Sequence, residues 1–213
     1  MLAAQEVEGF FTRSDGQYGF ARWGRPIAPV VFGVQDQTLE VIKAALGAVC
    51  TAAGHPMAET DPELGSNLMV FFFKDWDELL AVPDLDQLVP DLHALVGRLK
   101  PAGANQYRFF RFDNSGAIQA CFVFLCMDKQ LSTLSADTLS LTQIVQSMLL
   151  WSDAAFAQQS PLAVLGDGTT IVRPEISALL RAAYDPVMPA VADDASHALR
   201  LTARMGANMG QVQ

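Results

Sequence analysis

At 213 residues, 51% of them hydrophobic and 17% charged, the chain can build one full core, which excludes a disordered segment or a coiled coil. Its 14 Lys and Arg against 23 Asp and Glu give a net charge of -9, a field that repels phosphate backbones and argues against nucleic acid as a partner. No apolar run reaches the roughly 18 to 20 residues of a membrane-spanning helix, so no transmembrane segment is expected and the apolar runs predict buried core.

Residues 10–25, FFTRSDGQYGFARWGR, mix aromatics with Arg13, Arg22 and Arg25 and three glycines, a composition that predicts an extended arm over the surface. Ile27 to Val34 is β-branched and aromatic, a strand that Pro29 assigns to an edge or a bulge. From Asp36, read as the N-cap, apolar residues recur at offsets of three and four until Gly54, which predicts a core-facing helix with a left-handed C-cap. Asn67 to Lys74 reads as a strand buried on both faces, followed by a short helix capped by Asp75 and another helix starting near Pro90. Tyr107–Phe112 and Ala117–Met127 flank the polar connector Asp113–Gly116 and predict an antiparallel hairpin.

Thr138 to Trp151 is expected to be helical, then an irregular stretch leads to a helix opened by Pro174 and a last helix over about Ala190–Arg204. The fold class expected is α+β, a mixed or antiparallel sheet packed by helices. The organisation expected is a single domain over 1–205 with an extended N-terminal arm over about 1–26, and a flexible tail over 206–213.

Cys121 and Cys126 lie five apart in one predicted strand and face opposite sides, so any disulfide needs Cys50 as one half; three buried thiols are the simpler reading. His55, His93 and His197 lack any short ligand spacing, so no metal is expected. No glycine-rich phosphate cradle and no nucleophile elbow is present, so no cofactor is expected and no catalytic residue is assigned.

Ser140–Asp153, a Gly-containing loop and then the helix from Pro174 have the layout of a zinc-protease helix, loop and closing helix. Such a helix needs His, Glu and His at i, i+1 and i+4 to bring two imidazoles and a base to one metal. Those offsets hold Thr142, Gln143 and Gln146, and the longer motif's Gly and His positions hold Leu149 and Ser152. Amides and hydroxyls cannot replace imidazole and carboxylate there, so the expected scaffold is a degenerate zincin-like one, with Thr142, Gln143, Gln146 and Ser147 as the wetter stripe of the helix.

Phe10–Gly33 (FTRSDGQYGFARWGRPIAPVVFG within it), Ser66–Leu79 (SNLMVFFFKDWDEL) and Leu179–Pro189 (LLRAAYDPVMP) resemble a bacterial family, the domain of unknown function numbered 2927. The resemblance spans nearly the whole chain. It implies an exported, periplasmic or lipoprotein-like setting where a signal segment has been removed, and a cytoplasmic one otherwise. The family's central helix reads Glu-Glu-x-x-Gln-x-x-Gly-Leu; here Thr142 and Gln143 replace the acids and Leu149 the glycine.

Two functions follow as expectations. One is a non-catalytic domain binding a protein or peptide partner, with Arg13, Arg22, Trp23 and Arg25 as the contact residues, since Trp and Arg are favoured at interfaces. The other is a metal-independent hydrolase using carboxylates at Asp75, Asp77 and Glu78, although capping explains the same residues. Asp193 and His197 are expected to form a surface i,i+4 pair.

Overall fold

The computed structural model describes residues 2–210, with the side chains of 208–210 left aside. In chain order the elements are α1 (Ala4–Gly9), β1 (Phe20–Ala21), β2 (Pro29–Phe32), α2 (Asp36–Ala53), β3 (Leu68–Phe73) and a 3₁₀ helix over Trp76–Ala81. Then follow α3 (Leu85–Leu88), α4 (Leu92–Leu99), β4 (Gln106–Phe112), β5 (Ile118–Cys126), a 3₁₀ turn over Leu131–Thr133 and α5 (Ala136–Met148). The chain closes with β6 (Leu162–Val164), β7 (Thr170–Val172), α6 (Pro174–Ala183), β8 (Val191–Ala192) and α7 (Ser196–Gly210).

The fold is α+β around a mixed four-stranded sheet in the order β2-β3-β5-β4. β2 and β3 pair in parallel, as do β3 and β5, and β4 runs antiparallel to β5 at the far edge. Pro29 sits on the other edge strand, where its missing N–H costs no central ladder bond. β3 and β5 are apolar on both faces because both faces are covered. Leu68, Val70, Cys121, Val123 and Leu125 face a core shared with α1, α2, α5, α6 and α7. Met69, Phe71, Phe73, Ala120, Phe122 and Phe124 face a second core under Trp76, α3 and α4. The period-two alternation breaks once, between Ile118 and Ala120, where two residues of β5 oppose one step of β4 and a bulge restores the register.

Several expectations are corrected here. The arm is not an extended strip on the surface. Ala4–Gly9 is helical, with the Ala3 N–H donating to Glu6 Oε2 at 2.7 Å and Val7 buried, and Phe11, Phe20, Ala21 and Trp23 all lie within the core. β1 pairs with β8, Phe20 opposite Ala192. The segment expected to be irregular holds the β6–β7 hairpin, and Ala190–Ala192 is not helical: α7 starts at Ser196. Residues 206–210 of the expected tail continue α7, and 211–213 lie outside the described residues. His197 is not a surface residue; it is 2% exposed, with Phe20 against its ring. Gln35, not Asp36, is the N-cap of α2, whereas Gly54 does end it with φ +71.

All three thiols are free; Cys50 and Cys121 are buried, which pushes both up to about 12, and Cys126 is half-buried. Among the described residues no helix is long and apolar enough to cross a membrane.

Gly33 gives a direct test of the sheet. It leaves β2 with φ +81, and a Cβ there would lie 2.0 Å from the Phe72 carbonyl oxygen of the next strand. Gly33→Ala must therefore strain the backbone and push β2 from β3, an expected loss of about 3 kcal/mol in chemical unfolding. Gly47→Ala, with open space around its Cβ position inside α2, should instead stabilise slightly.

Candidate functional site

α5 begins at Ser135, whose side chain accepts from the Thr138 N–H, and it buries Leu139, Ile144, Val145 and Met148 against the sheet and α2. Its last carbonyls, which have no partner within the helix, are met by side chains from two distant segments and from the residues just after the helix. Trp23 Nε1 donates to the Ser147 carbonyl at 2.8 Å, the Tyr184 hydroxyl to Met148 at 2.5 Å and Trp151 Nε1 to Val145 at 3.0 Å. Leu149 then leaves the helix in extended form and bridges to Arg22, and Ser152 binds the backbone of Gly9 and Phe10.

The polar residues of α5 do not form a wet stripe, contrary to expectation. Gln143 is 4% exposed and Ser147 2%, and the Ser147 hydroxyl donates back to the Gln143 carbonyl. Thr142 is half-buried and donates to the Thr138 carbonyl within its own helix. Gln143 is held from β4: the Arg108 Nη2 donates to its Oε1 at 2.5 Å, and its Nε2 donates to Gln106 Oε1 at 3.0 Å. An amide suits this place because it accepts from one neighbour and donates to the other, which a carboxylate could not do.

These contacts floor a cleft of about 580 Å³ between β4 and the segment after α5. Gln106, Tyr107, Arg108 and Phe110 line one side, and Gln146, Leu150–Asp153 and Phe156–Ala157 the other. Trp151 and Phe156 pack edge to face at 4.8 Å, and Phe10 stands behind both. Thus Gln146 and Ser152 line the cleft and Gln143 holds Arg108 and Gln106 from behind it, whereas Thr142 and Leu149 belong to the helix and the core. Arg108 is the unusual member. Its Nε is buried with no hydrogen-bond partner, and among the described residues no carboxylate lies within ion-pair distance of it. Burial draws its pKa below the ordinary arginine value, yet a guanidinium stays charged.

β4 presents main-chain groups to the same cleft. The Cys126 N–H donates to the Asn105 carbonyl, so the alternation of an antiparallel ladder turns the N–H and C=O of Gln106, Arg108 and Phe110 away from β5. Among the described residues no further strand pairs with that edge.

The arm does not form the expected contact surface. Trp23 is fully buried and offers nothing to a partner. Arg22 is half-buried, donates to the Met188 carbonyl and lies over the Tyr184 ring. Arg25 pairs with Asp61 and Glu63, and only Arg13 is exposed. The aromatic and basic residues of this segment clip it into its own fold.

The carboxylate cluster is likewise occupied. Asp75 caps the 3₁₀ helix by accepting from the Asp77 N–H, and Glu78 reaches back to the N–H groups of Lys74 and Asp75. Lys100 Nζ lies 3.3 Å from Asp75 and 2.6 Å from Asp77 on the open surface. The Asp77 N–H and Lys100 hold the Asp75 carboxyl below its usual range, so it is a poor proton donor near neutrality. Among the described residues no group of three His, Cys, Asp or Glu is placed to hold a metal ion.

Sequence reasoning missed Arg108, Trp151 and Phe156. Arg108 and Arg111 are the two charges among the aromatics of QYRFFRF, and that was the available signal for Arg108. No protein-family model matches the chain, and neither the curated proteins nor the solved structures contain a significant match to it.

Proposed function

We propose that this chain is a non-catalytic binding module that holds an extended segment of a protein or peptide partner as an added strand along β4. The observation that supports the reading is a coincidence of position. The free main-chain groups of Gln106, Arg108 and Phe110 open onto the cleft whose opposite wall is Trp151 and Phe156. Strand addition takes its affinity from main-chain hydrogen bonds and its selectivity from pockets for alternate side chains, and both are offered here. The cleft supplies little for proton transfer. Of its titratable residues, Arg108 cannot accept a proton, Tyr107 is a phenol, and the Asp153 carboxylate already accepts from Ser14 and is held below its usual range. The family resemblance adds a setting to the proposal, an exported or envelope-associated one.

The reading is tested by titrating the isotopically labelled protein with a randomised library of blocked short peptides. The Gln106, Arg108 and Phe110 amide signals should shift and become protected from exchange. N-methylation of alternate peptide residues should abolish binding in one phase and spare it in the other, because only every second residue of an added strand faces β4. Failure of all peptides to bind, or binding indifferent to N-methylation, overturns the proposal.

A further inference from the structure

Resting on that strand-addition reading, we infer that the partner segment carries an acidic side chain, Asp or Glu, seated against Arg108. A buried cation is ordinarily neutralised by a nearby carboxylate, because removing it from water is costly and the interaction with a partner in the interior is correspondingly strong. Arg22 and Arg108 both have a buried, unpartnered Nε, but their surroundings differ. Arg22 spends its Nη groups on backbone carbonyls and its face on Tyr184, beneath the arm. Arg108 opens onto a cleft large enough for a side chain, and among the described residues its one side-chain hydrogen bond goes to a neutral amide.

The position of Arg108 decides between two sources of the carboxylate. Free main-chain groups lie on both sides of it, at Gln106 and Phe110, so an added strand runs past Arg108 in both directions. A chain terminus would leave one of those sides unpaired; a side chain would not.

The overall charge of -9 opposes an acidic ligand. That field is screened beyond about 8 Å at physiological salt, whereas a contact with a partly desolvated guanidinium is not. The acidic group among the lining residues, Asp153, is exposed and already accepts from the Ser14 N–H. The local charge at the floor of the cleft therefore sets the preference.

The test compares three blocked peptide libraries on the wild-type protein, randomised except at a central position held as Glu in one and Gln in the second. The third has a central Gln and a free C-terminal carboxylate. The Glu library should bind about ten to a hundred times more tightly than the Gln library, the usual gain from a charge-assisted hydrogen bond. Arg108→Gln should erase that difference, bringing the Glu library's affinity down to that of the Gln library on the same variant. Equal binding of the Glu and Gln libraries to the wild type overturns the acidic preference alone, and a clear advantage for the free terminus overturns the choice of a side chain. If no library moves the Gln106, Arg108 and Phe110 signals, the strand-addition reading falls first. The wild-type comparison decides the matter even if Arg108→Gln unfolds the protein.

Discussion

Replacing Trp23 with alanine should lower stability by about 3 to 5 kcal/mol, the range for emptying a buried aromatic site, with a further 1 to 3 kcal/mol for the orphaned Ser147 carbonyl. The residue is fully buried, contacts the same core as Leu149 and Met148, and supplies one of the three donors that finish α5. Domains of this size commonly have a total stability of about 5 to 15 kcal/mol, so the substitution removes a large part of it. Arg13→Ala in the same arm removes an exposed side chain and should change stability by less than about 0.5 kcal/mol. Urea unfolding of both variants checks the contrast. Similar losses from the two would show that the arm is not threaded into the core.

Acidification should destabilise the fold from about pH 6.5 downward. Burial lowers the pKa of His55 to about 4, assisted by the charge of Arg22, and that of His197 to about 4, assisted by Arg200. His55 Nε2 lies 3.0 Å from the Arg25 carbonyl, with its ring against Tyr184; His197 Nδ1 lies 2.9 Å from the Tyr18 hydroxyl. In the unfolded chain both titrate near 6.5. Between pH 6.5 and 4 the unfolded state thus binds protons that the folded state refuses. Stability falls across that window, by roughly 1 to 3 kcal/mol per histidine. Asp61 works in the same sense but lower on the scale. Backbone N–H groups of Glu63 and Leu64, Asn67 and Arg25 overcome its burial and hold it below the usual range, so its contribution is lost only below about pH 4. Unfolding measured from pH 8 to 4 should show the loss, and His55→Gln and His197→Gln should each flatten part of the slope. A flat profile over this window would mean that the two rings are hydrated.

The parts of the fold that were legible from sequence are those with a local period. α2 shows its three-and-four spacing and its terminal glycine, β3 and β5 show runs too apolar for any exposed face, and Pro174 marks the first turn of α6. β1 and β8 are two residues each and pair across most of the chain, so neither carries a pattern that a local window could register. The arm was misread for a related reason. Arg, Trp and Tyr serve equally at an interface and in clamping a chain to itself, and only the position of the Ser147 and Met188 carbonyls distinguishes the two uses. The task of Gln143 could not be read from the sequence, because its partner Arg108 comes from a strand that sequence places without a register.

The threading of the first segment against the last has a consequence for biosynthesis. Phe20 and Trp23 leave the ribosome early, yet Phe20 pairs with Ala192, Arg22 binds Ala190 and Met188, and Tyr184 completes the helix end that Trp23 begins. At ordinary elongation rates about 10 to 30 s pass between the emergence of the two ends. For that interval the nascent chain carries Phe11, Phe20 and Trp23 with their docking site unfinished, a natural substrate for ribosome-associated chaperones. The domain can close only after the segment through Ala192 has cleared the exit tunnel.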